Sequence, residues 1–324
     1  MKSMLKITVA VPTYNRGKSI SATLEAIAEQ NFPRESYELI VVDDGGKDST
    51  KEIIREFSRK SGFPIKYLWQ ENRGPAAARN LAIRNSKAPI IAFTDDDCVP
   101  KSDWLEKIAS AFSKDKDAMI VGGETIPPKG MIVAAVGQGL TKNAFFDYVN
   151  GKKETIFFPT CNAAFRKAVF GKAGYFDEDF PLAAGEDLEF SWRCFKKGLK
   201  LLYAPEIIVT HYCNPNLRAY ARQSFNYGRG NYIAKLKQPD HPEIRGLETG
   251  GNWAFFKYCI KEFAYALPFA VIFTPRIKRE EDSSGIKNTI LIFTALIVHR
   301  LNYLKGTIAE RRRINSINSI KNSF

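Results

Sequence analysis

The sequence lacks the features that mark several common classes of protein. Its 324 residues hold five cysteines, an odd number with no Cys-x-x-Cys pair, so a disulfide framework or a zinc knuckle is disfavoured and a reducing compartment is expected. The apolar run Ile7–Val11 is not followed by Gly-x-Gly-x-x-Gly, and the Walker-type Gly-x4-Gly-Lys-Ser/Thr loop is missing. These absences argue against dinucleotide dehydrogenases and P-loop enzymes.

Long apolar runs are also lacking. Ile7–Val11 is short and leads into Pro12 and Arg16 without a small-residue cleavage site, so the N-terminus does not resemble a secretion signal. Two later segments, Phe263–Pro275 and Asn288–His299, hold 13 and 12 uncharged residues. A clean membrane span needs about 20 apolar residues, so neither segment qualifies alone. We expect the body of the protein to stay in the cytoplasm.

Positive charge is concentrated in the last third of the chain. Residues 1–214 contain 30 Lys and Arg against 27 Asp and Glu, a net charge of +3. Residues 215–324 contain 18 against 8, a net charge of +10. This contrast predicts two regions, 1–214 and 215–324, and an anionic partner for the second, either nucleic acid or a phospholipid surface.

Short apolar segments alternate with helical patterns near the N-terminus. The predicted strands are Ile7–Val11, Glu38–Val42, Ile65–Trp69 and Pro89–Phe93. Such alternation predicts an α/β fold with a doubly wound parallel sheet, in which ligands bind beyond the carboxyl ends of the strands. A polar cluster follows every one of these strands: Pro12–Arg16, Asp43-Asp44, Asn72–Gly74 and Asp95–Asp97. Their convergence predicts a site for a nucleotide-like ligand.

Beyond residue 118 the pattern is mixed. Strands are predicted at Met119–Gly123, Thr155–Phe158, Leu201–Tyr203 and Ile207–His211, with a strand-to-helix stretch at Asn162–Val169 and a helix at Gly185–Lys197.

Three consecutive carboxylates follow the fourth apolar strand at Asp95–Asp97. A pyrophosphate beside these acids would be repelled unless a divalent cation lay between them. The cluster therefore indicates Mg²⁺ or Mn²⁺ held jointly by carboxylates and substrate phosphate. A solvated acidic loop is the alternative.

Five motifs occur in one order along the chain: Val9–Arg16, Val41–Gly45, Asn72–Gly74 with Ala78–Asn80, Phe93–Asp97 and Gly185–Asp187. Together they resemble the family 2 glycosyltransferases of the GT-A fold, over roughly residues 5–213. The resemblance implies a mixed, mainly parallel doubly wound sheet with helices on both faces. A C-terminal helical appendage would follow.

The resemblance also implies a nucleoside site. Pro12, Tyr14 and Arg16 would border the base, and Asp44 or its neighbour Asp43 would accept a hydrogen bond from a uracil-type imide N–H. Simple turn chemistry in the Asp-Asp-Gly-Gly run is the alternative.

By the same resemblance Asp97 would be the direct metal ligand, and Asp95 or Asp96 would contact ribose or sugar. His211 ends an apolar strand and would supply a further metal ligand, although a lone histidine is also a common structural residue. Thr160–Asn162 would approach the donor sugar.

Arg73 and Arg79 would meet base, ribose or phosphate. Asp187 would be the catalytic base, removing the proton of an acceptor hydroxyl as that oxygen attacks the anomeric carbon. The alternative for Asp187 is an acidic residue that only favours a helix N-terminus.

The basic last third combines arginine, tyrosine and apolar segments. Leu217–Gln223 and Tyr227–Gly230 could bind nucleic acid, line an acceptor groove or close over a diphosphate. Phe263–Pro275 and Asn288–His299, with their aromatic and cationic borders, favour helices that lie in an anionic leaflet. An ordinary buried helical pair is the alternative.

The sequence thus predicts an inverting glycosyltransferase at the cytoplasmic face of the cell membrane. It would transfer sugar from a nucleotide-sugar donor, a UDP-sugar for preference, to a lipid-linked or surface-glycan acceptor. A sugar-nucleotide-forming nucleotidyltransferase is the first alternative, although Pro12–Asn15 is a poor substitute for its glycine-rich loop. A non-catalytic carbohydrate or nucleic-acid binding module is the second, and nucleic acid is disfavoured as a partner.

Overall fold

The computed structural model describes residues 5–149, 152–180, 182–213, 216–240, 251–280 and 286–321. The chain divides into two compact units. The first consists of Met1–Ile126, Tyr148–Pro181 and Phe190–Tyr212, and the second of Pro127–Asp147, Leu182–Glu189 and Cys213–Phe324. The boundary predicted between residues 214 and 215 lies outside the described residues and stays a prediction.

Strands and helices alternate through most of the first unit, and long helices follow. The strands are β1 (Ile7–Thr13), β2 (Tyr37–Asp43), β3 (Ile65–Trp69), β4 (Ile90–Phe93), β5 (Cys98–Pro100), β6 (Ala118–Ile126), β7 (Phe146–Val149), β8 (Lys152–Thr155), β9 (Ala163–Arg166) and β10 (Lys200–His211). The helices are α1 (Ile20–Ala28), α2 (Thr50–Ser61), α3 (Pro75–Asn85), α4 (Trp104–Lys114), α5 (Ile132–Asn143), α6 (Ala168–Ala173), α7 (Glu186–Lys196), α8 (Leu217–Lys237), α9 (Asn252–Glu280) and α10 (Ile286–Lys321).

Eight strands of the described chain form one mixed sheet in the order β3-β2-β1-β4-β9-β6-β10-β5. The pairs β3–β2, β2–β1, β1–β4 and β6–β10 are parallel. The pairs β4–β9, β9–β6 and β10–β5 are antiparallel. The predicted mixed, mainly parallel sheet is confirmed, and its strand order changes direction between β1 and β4, where doubly wound sheets bind ligands.

Helices cover the sheet because strand side chains alternate between its two faces. On one face Ile7, Val9 and Val11 of β1 pack with Ile20 and Leu24 of α1, and all five side chains are fully buried. On the opposite face α3 packs on β1 and β2. Burying this many aliphatic side chains is the main stabilisation of the first unit, at about 1.5–3 kcal/mol for each.

Three predicted strands differ from the structure. Thr155–Phe158 was predicted as a strand, but β8 ends at Thr155 and the next residues are irregular. The segments Leu201–Tyr203 and Ile207–His211 form the single strand β10, whose pairing with β6 shifts register between Tyr203 and Ile208. A β-bulge of this kind lets one strand keep both apolar segments buried although they are out of phase.

Close backbone packing joins the helices of the second unit. Gly228 of α8 faces Tyr303 of α10, where a Cβ atom would overlap the Tyr303 carbonyl oxygen. Gly306 of α10 faces the Phe225 carbonyl oxygen in the same way. Apolar contacts beside this crossing join Tyr220 to side chains of α5, α9 and α10. Helices α5, α8, α9 and α10 thus pack together in this unit. Membrane contact of Phe263–Pro275 and Asn288–His299 stays a prediction.

Arg229, the arginine in the run Tyr227–Gly230, forms an ion pair inside the second unit. Arg229 Nε donates to Oε2 of Glu310 at 2.7 Å, and Glu310 is fully buried. Arg313 Nε donates to the other oxygen at 2.6 Å. The glycine–arginine motif therefore serves helix packing. Over the described ranges, no helix combines the length and apolarity needed to cross a membrane.

Candidate active site

The predicted polar clusters meet at one edge of the sheet. Thr13, the last residue of β1, lies opposite Asp43, the last residue of β2. Phe93, the last residue of β4, lies opposite Ala10 of β1. The carboxylates of residues 95–97 therefore begin next to the end of β1, at the point where the strand order changes direction.

Asp43 and Asp44 organise the loops beside this edge. Both are buried, at 2% and 4% exposure. Asp43 accepts hydrogen bonds from the Gly46 amide at 2.7 Å and from the Tyr67 hydroxyl at 2.7 Å. These bonds support the turn-chemistry reading, and they also leave each Asp43 oxygen with a lone pair for a further donor.

The Asp44 carboxylate holds the loop that precedes α3. It accepts from Gln70 Nε2 at 2.6 Å, from the Arg73 amide at 2.9 Å and from the Gly74 amide at 2.8 Å. Gly74 has a φ of +89°, a conformation that favours glycine. A nucleoside contact from Asp43 or Asp44 stays a prediction.

Arg16 reaches across the acidic cluster. Its Nε lies 3.6 Å from Asp96 and its Nη2 lies 3.6 Å from Asp97. Asp96 is buried, and this burial, with the negative charge of Asp97 nearby, raises the pKa of Asp96 to about 7. The guanidinium, half exposed, thus compensates charge that the buried carboxylates would otherwise carry alone.

Asp97 and His211 are direct neighbours. His211 Nε2 lies 3.1 Å from Asp97 Oδ1. Burial opposes ionisation of Asp97, but the hydrogen bond and charge of His211 hold its pKa below the ordinary value. Asp95, Asp97, Cys98 and His211 each offer a ligand atom, and these four atoms lie within 4.8 Å of one another. Carboxylate and imidazole donors this close fit a divalent cation.

Two cysteines also belong to this cluster, and sequence reasoning missed both. Sγ of Cys98 and of Cys161 and a nitrogen of His211 lie within 4.8 Å of one another. Hydrogen bonds from Cys98 and His211 lower the pKa of Cys161, whereas burial raises that of Cys98. The available signal was Cys98 itself, which directly follows the three acids. No spacing in the sequence links it to Cys161.

The two predicted arginines occupy different environments. Arg79 is buried on α3, with Nη2 3.5 Å from Asp95 Oδ1 and its guanidinium over the Phe176 ring. Arg73 is exposed and pairs with Glu178 at 2.6 Å. Arg79 thus joins the acidic cluster directly, while Arg73 contributes its backbone amide to Asp44 and its side chain to Glu178.

Pro12 and Tyr14 flank the end of β1. Pro12 lies within the strand opposite Val42, and Tyr14 is 49% exposed just beyond it. Asn15 follows with a φ of +53°, and its Oδ1 accepts from the Lys47 amide at 2.7 Å. The turn therefore holds Tyr14 at the surface of this edge, where an aromatic ring can stack on a base. That contact stays a prediction.

Comparison with known proteins assigns the family. Residues 8–174, just over half of the 324 residues, match the sequence model described as Glycosyl transferase family 2. The chain belongs to glycosyl transferase family 2. This confirms the predicted resemblance. The family 2 chain is 31% identical over 226 residues to glycosyltransferase AglE of Haloferax volcanii, a match that covers 69% of the chain and 72% of AglE. In some longer curated relatives the match takes in about half of their length or less.

Solved structures confirm the GT-A fold of this family 2 enzyme. It is similar to the mannosyltransferase PcManGT of Pyrobaculum calidifontis, solved with GDP-Man and Mn²⁺, with a TM-score of 0.60 and 22% identity over 93% of this chain and 87% of that one. It is also similar to residues 1–349 of S. aureus TarS solved with UDP, with a TM-score of 0.57 and 19% identity over 95% of this chain and 92% of that one. The enzyme is a glycosyltransferase.

The remaining predicted residue of this family 2 enzyme, Asp187, lies in the second unit. It occupies the first turn of α7, is partly buried, and its Oδ1 accepts from the Leu188 amide at 2.9 Å. Gly185 precedes it with a φ of +89°, and a Cβ there would lie 2.6 Å from the backbone of Gly230. A pair of glycines therefore lets the chain enter α7 directly against α8.

Proposed function

We propose that this protein is an inverting, cation-dependent glycosyltransferase that uses a UDP-sugar and a lipid-linked or surface-glycan acceptor. The observation that carries the proposal is the cluster of Asp95, Asp97 and His211 at the strand ends where the sheet order changes direction. A nucleoside diphosphate needs countercharge at such an edge, and this cluster can hold a cation for it.

Mn²⁺ suits this donor set better than Mg²⁺, because Mg²⁺ prefers oxygen ligands alone while His211 offers an imidazole nitrogen. Asp97 and His211 would hold the ion, with Asp95 beside them. When bound, the ion would supply positive charge to the departing diphosphate. This assignment agrees with the predicted roles of Asp97 and His211 and extends the metal-binding role to Asp95.

Arg16 and Arg79 would complete the charge of the donor site. Both guanidinium groups already face the acidic cluster, at 3.5–3.6 Å from its carboxylates. Arg16 is half exposed, so it can exchange its carboxylate partners for a phosphate oxygen. Arg79 is buried and held in place, which favours a fixed position beside the cluster. Donors fixed in advance stabilise developing charge without reorganisation.

Asp187 would act as the base. In a single displacement the acceptor hydroxyl attacks the anomeric carbon, its proton passes to Asp187, and the bond to the diphosphate oxygen breaks with inversion. The N-terminal end of α7 carries a partial positive charge, which favours the ionised carboxylate that a base requires. The proposal for Asp187 depends on the family resemblance of the Gly-Glu-Asp motif.

The preference for uridine depends on Asp43 and Asp44. Their carboxylates are acceptors, as an imide N–H requires, and Asp43 keeps unused acceptor capacity beside the edge. Guanine also offers N–H donors, and one similar solved enzyme was bound to GDP-Man. The base therefore has to be tested directly.

A thermal-shift panel of UDP-, GDP- and dTDP-sugars with and without Mn²⁺ tests the proposal. We expect a UDP-sugar with Mn²⁺ to raise the melting temperature most, and Asp97→Asn to abolish that rise. Asp187→Asn should keep donor binding while transfer to a lipid-extract acceptor falls by about 10²–10⁴-fold. A matched control, Asp115→Asn, changes an acid that pairs with Lys200 outside the cluster and should leave both unchanged.

Results of three kinds would contradict the proposal. If chelation of divalent cations leaves the stabilisation by the sugar nucleotide unchanged, donor binding does not depend on a cation. Undiminished sugar transfer by Asp187→Asn would exclude Asp187 as the catalytic base. Formation of a sugar nucleotide from a nucleoside triphosphate and a sugar phosphate would favour the nucleotidyltransferase instead.

We also propose that helix α9 lies on an anionic membrane surface. Its buried side includes Tyr258, Ala266, Ala270 and Thr274. Its other side carries large apolar residues, each more than half exposed, at spacings of three and four: Trp253, Phe256, Ile260, Phe263, Leu267 and Val271. At 1.5 Å per residue this stripe is about 27 Å long.

The partner is argued from charge. Residues 215–324 carry a net charge of +10, so two copies of this region would repel each other, whereas an anionic lipid surface is complementary. An apolar stripe on a cationic helix is typical of helices that lie in the membrane plane. Such placement would bring the enzyme to a lipid-linked acceptor at the cytoplasmic face.

Quenching of tryptophan fluorescence by brominated lipid tests this placement. With vesicles rich in phosphatidylglycerol we expect strong quenching that is lost in Trp253→Phe and kept in Trp69→Phe, which removes an exposed tryptophan of the first unit. Phe263→Ser should weaken co-sedimentation with the same vesicles. Equal behaviour with neutral vesicles, or no quenching at all, would contradict the proposal.

A further inference from the structure

A compact cluster of soft ligands lies beside the acids of the candidate site. It consists of Cys98, Cys161 and His211, which come from three separate parts of the first unit: the start of β5, the turn before β9 and the end of β10. Cys98 is fully buried and Cys161 is 6% exposed. Three ligand-bearing side chains thus meet in the interior, although the chain separates them widely.

The strand pairing explains why they meet. Cys98 lies directly opposite His211 in the antiparallel β5–β10 ladder. Cys161 reaches the same place from the one-turn helix Thr160–Asn162, whose Asn162 is anchored by hydrogen bonds to the carbonyl oxygens of Glu124 and Ile207 at 2.9 and 3.0 Å. The cluster is therefore built by rigid elements of the sheet.

The cluster is close to the dimensions of a tetrahedral metal site. Its three ligand atoms lie within 4.8 Å of one another. A zinc ion at about 2.3 Å from sulfur and about 2.0 Å from nitrogen needs ligand separations of roughly 3.5–3.8 Å. Side-chain adjustments of about 1 Å would therefore close the site.

We propose that Cys98, Cys161 and His211 form a thiolate–imidazole site for a soft divalent cation of the zinc type. Binding would release the two thiol protons to solvent and leave two thiolates, one imidazole and a fourth position on the metal. Asp97, whose Oδ1 lies 3.9 Å from Cys98 Sγ, is placed to fill that position.

The soft site and the acidic cluster share His211, and they also share Asp97 where it fills the fourth position. A cation bound by the two cysteines takes this imidazole away from the ion held by Asp95 and Asp97. Zinc would therefore displace Mn²⁺ and act as an inhibitor, a consequence that depends on the proposed cation-dependent transfer. The binding itself does not depend on it, because the cysteines can bind metal whatever reaction the enzyme performs.

Cobalt spectroscopy tests the binding on the full chain with its thiols kept reduced. We expect one equivalent of Co²⁺ to give thiolate charge-transfer absorption in the near ultraviolet and the visible bands of a tetrahedral ion. Cys98→Ser and Cys161→Ser should each lose these bands and weaken binding by at least about tenfold. Cys194→Ser is the matched control, because it removes a fully buried cysteine outside the cluster and should keep them.

A second measurement needs no variant. X-ray absorption at the zinc edge of the unmutated protein should show two sulfur atoms at about 2.3 Å. A shell of oxygen and nitrogen alone would overturn the proposal, as would cobalt bands that persist in both cysteine variants. Electron paramagnetic resonance then tests the competition between Zn²⁺ and Mn²⁺: one equivalent of Zn²⁺ should release the bound Mn²⁺. Simultaneous binding of both ions would refute this competition.

Discussion

Nε2 of His211 lies 3.1 Å from Oδ1 of Asp97, and strand pairing creates this contact. The three residues of β5 pair with the last three residues of β10, so that Cys98 lies opposite His211. Just beyond this pairing the Tyr212 amide donates to the Asp97 carbonyl at 2.9 Å. The end of one strand and the acidic loop of another are thereby locked together. In the proposed cation site, His211 would be a ligand whose position is fixed by backbone hydrogen bonds.

Replacing His211 should therefore weaken cation binding without unfolding the site. We expect His211→Ala to raise the dissociation constant for Mn²⁺ by about tenfold or more, because one of its few non-water ligands is lost. Titration followed by the electron paramagnetic resonance of free Mn²⁺ measures this constant. Asp115→Asn, which alters an acid paired with Lys200 outside the cluster, should bind Mn²⁺ normally. Equal affinities in all three proteins would exclude His211 as a ligand.

Gly230 of α8, which packs against the segment that leads into α7, should tolerate no added methyl group. In Gly230→Ala the new Cβ would overlap the Ala184 carbonyl oxygen, a backbone atom that cannot move aside cheaply. We expect a loss of about 1–3 kcal/mol in the free energy of unfolding, together with reduced transfer, because the segment before Asp187 shifts.

The matched control is Gly171→Ala in α6, where a Cβ meets nothing within 4 Å. There the better helix propensity of alanine should leave stability unchanged or raise it by up to about 1 kcal/mol. Urea unfolding of both variants provides the comparison. If Gly230→Ala is as stable as Gly171→Ala, the close packing of α7 against α8 is wrong.

The sequence was most informative where local pattern and topology agree. Apolar runs such as Ile7–Val11 predicted β1 because a buried parallel strand is apolar throughout. The convergence of the first polar clusters followed from one rule, that the carboxyl ends of parallel strands share an edge. Strand order then brought Asp43 and the acids after β4 to that edge, as expected.

Contacts that depend on long-range pairing could not be predicted. Cys98 and Cys161 meet only because β9 enters the sheet antiparallel between β4 and β6, and no local pattern indicates that order. From sequence, the run Tyr227–Gly230 is interpreted as binding nucleic acid, lining an acceptor groove or closing over a diphosphate. Its role in packing could not be predicted, because a glycine in a helix gives no sign of the helix that packs on it. Glu310, the partner of Arg229, lies 81 residues further along the chain, so no local pattern predicts their ion pair.

Breaking the Arg229–Glu310 pair should destabilise the second unit. Glu310→Gln leaves Arg229, a mostly buried cation, without a charged partner, and we expect the free energy of unfolding to fall by about 3 kcal/mol. The control Glu56→Gln breaks an exposed pair with Lys60 and should change stability little. Unchanged stability of Glu310→Gln would mean that the ion pair does not stabilise the second unit, and Arg229 would again be a candidate to bind an anionic ligand.

His299 should make the stability of the second unit depend on pH. Its Nδ1 lies 3.0 Å from the Ser224 hydroxyl, which itself donates to the Tyr220 carbonyl at 2.8 Å, and its ring stacks on Tyr220. Burial first, and then the charge of Arg300, lower the pKa of His299 to about 4. The unfolded chain would bind this proton at a pKa of about 6.5.

The folded state therefore binds fewer protons than the unfolded state between pH 6.5 and 4. Above pH 6.5 the residue is neutral in both states and costs nothing, but stability falls as the pH drops through this window, by up to about 3 kcal/mol at its lower end. In His299→Asn the amide can keep the bond to Ser224 and cannot titrate, so the loss between pH 7 and pH 4.5 should be smaller than in the parent protein. Parallel curves for the two proteins over that range would show that His299 is not held neutral by burial.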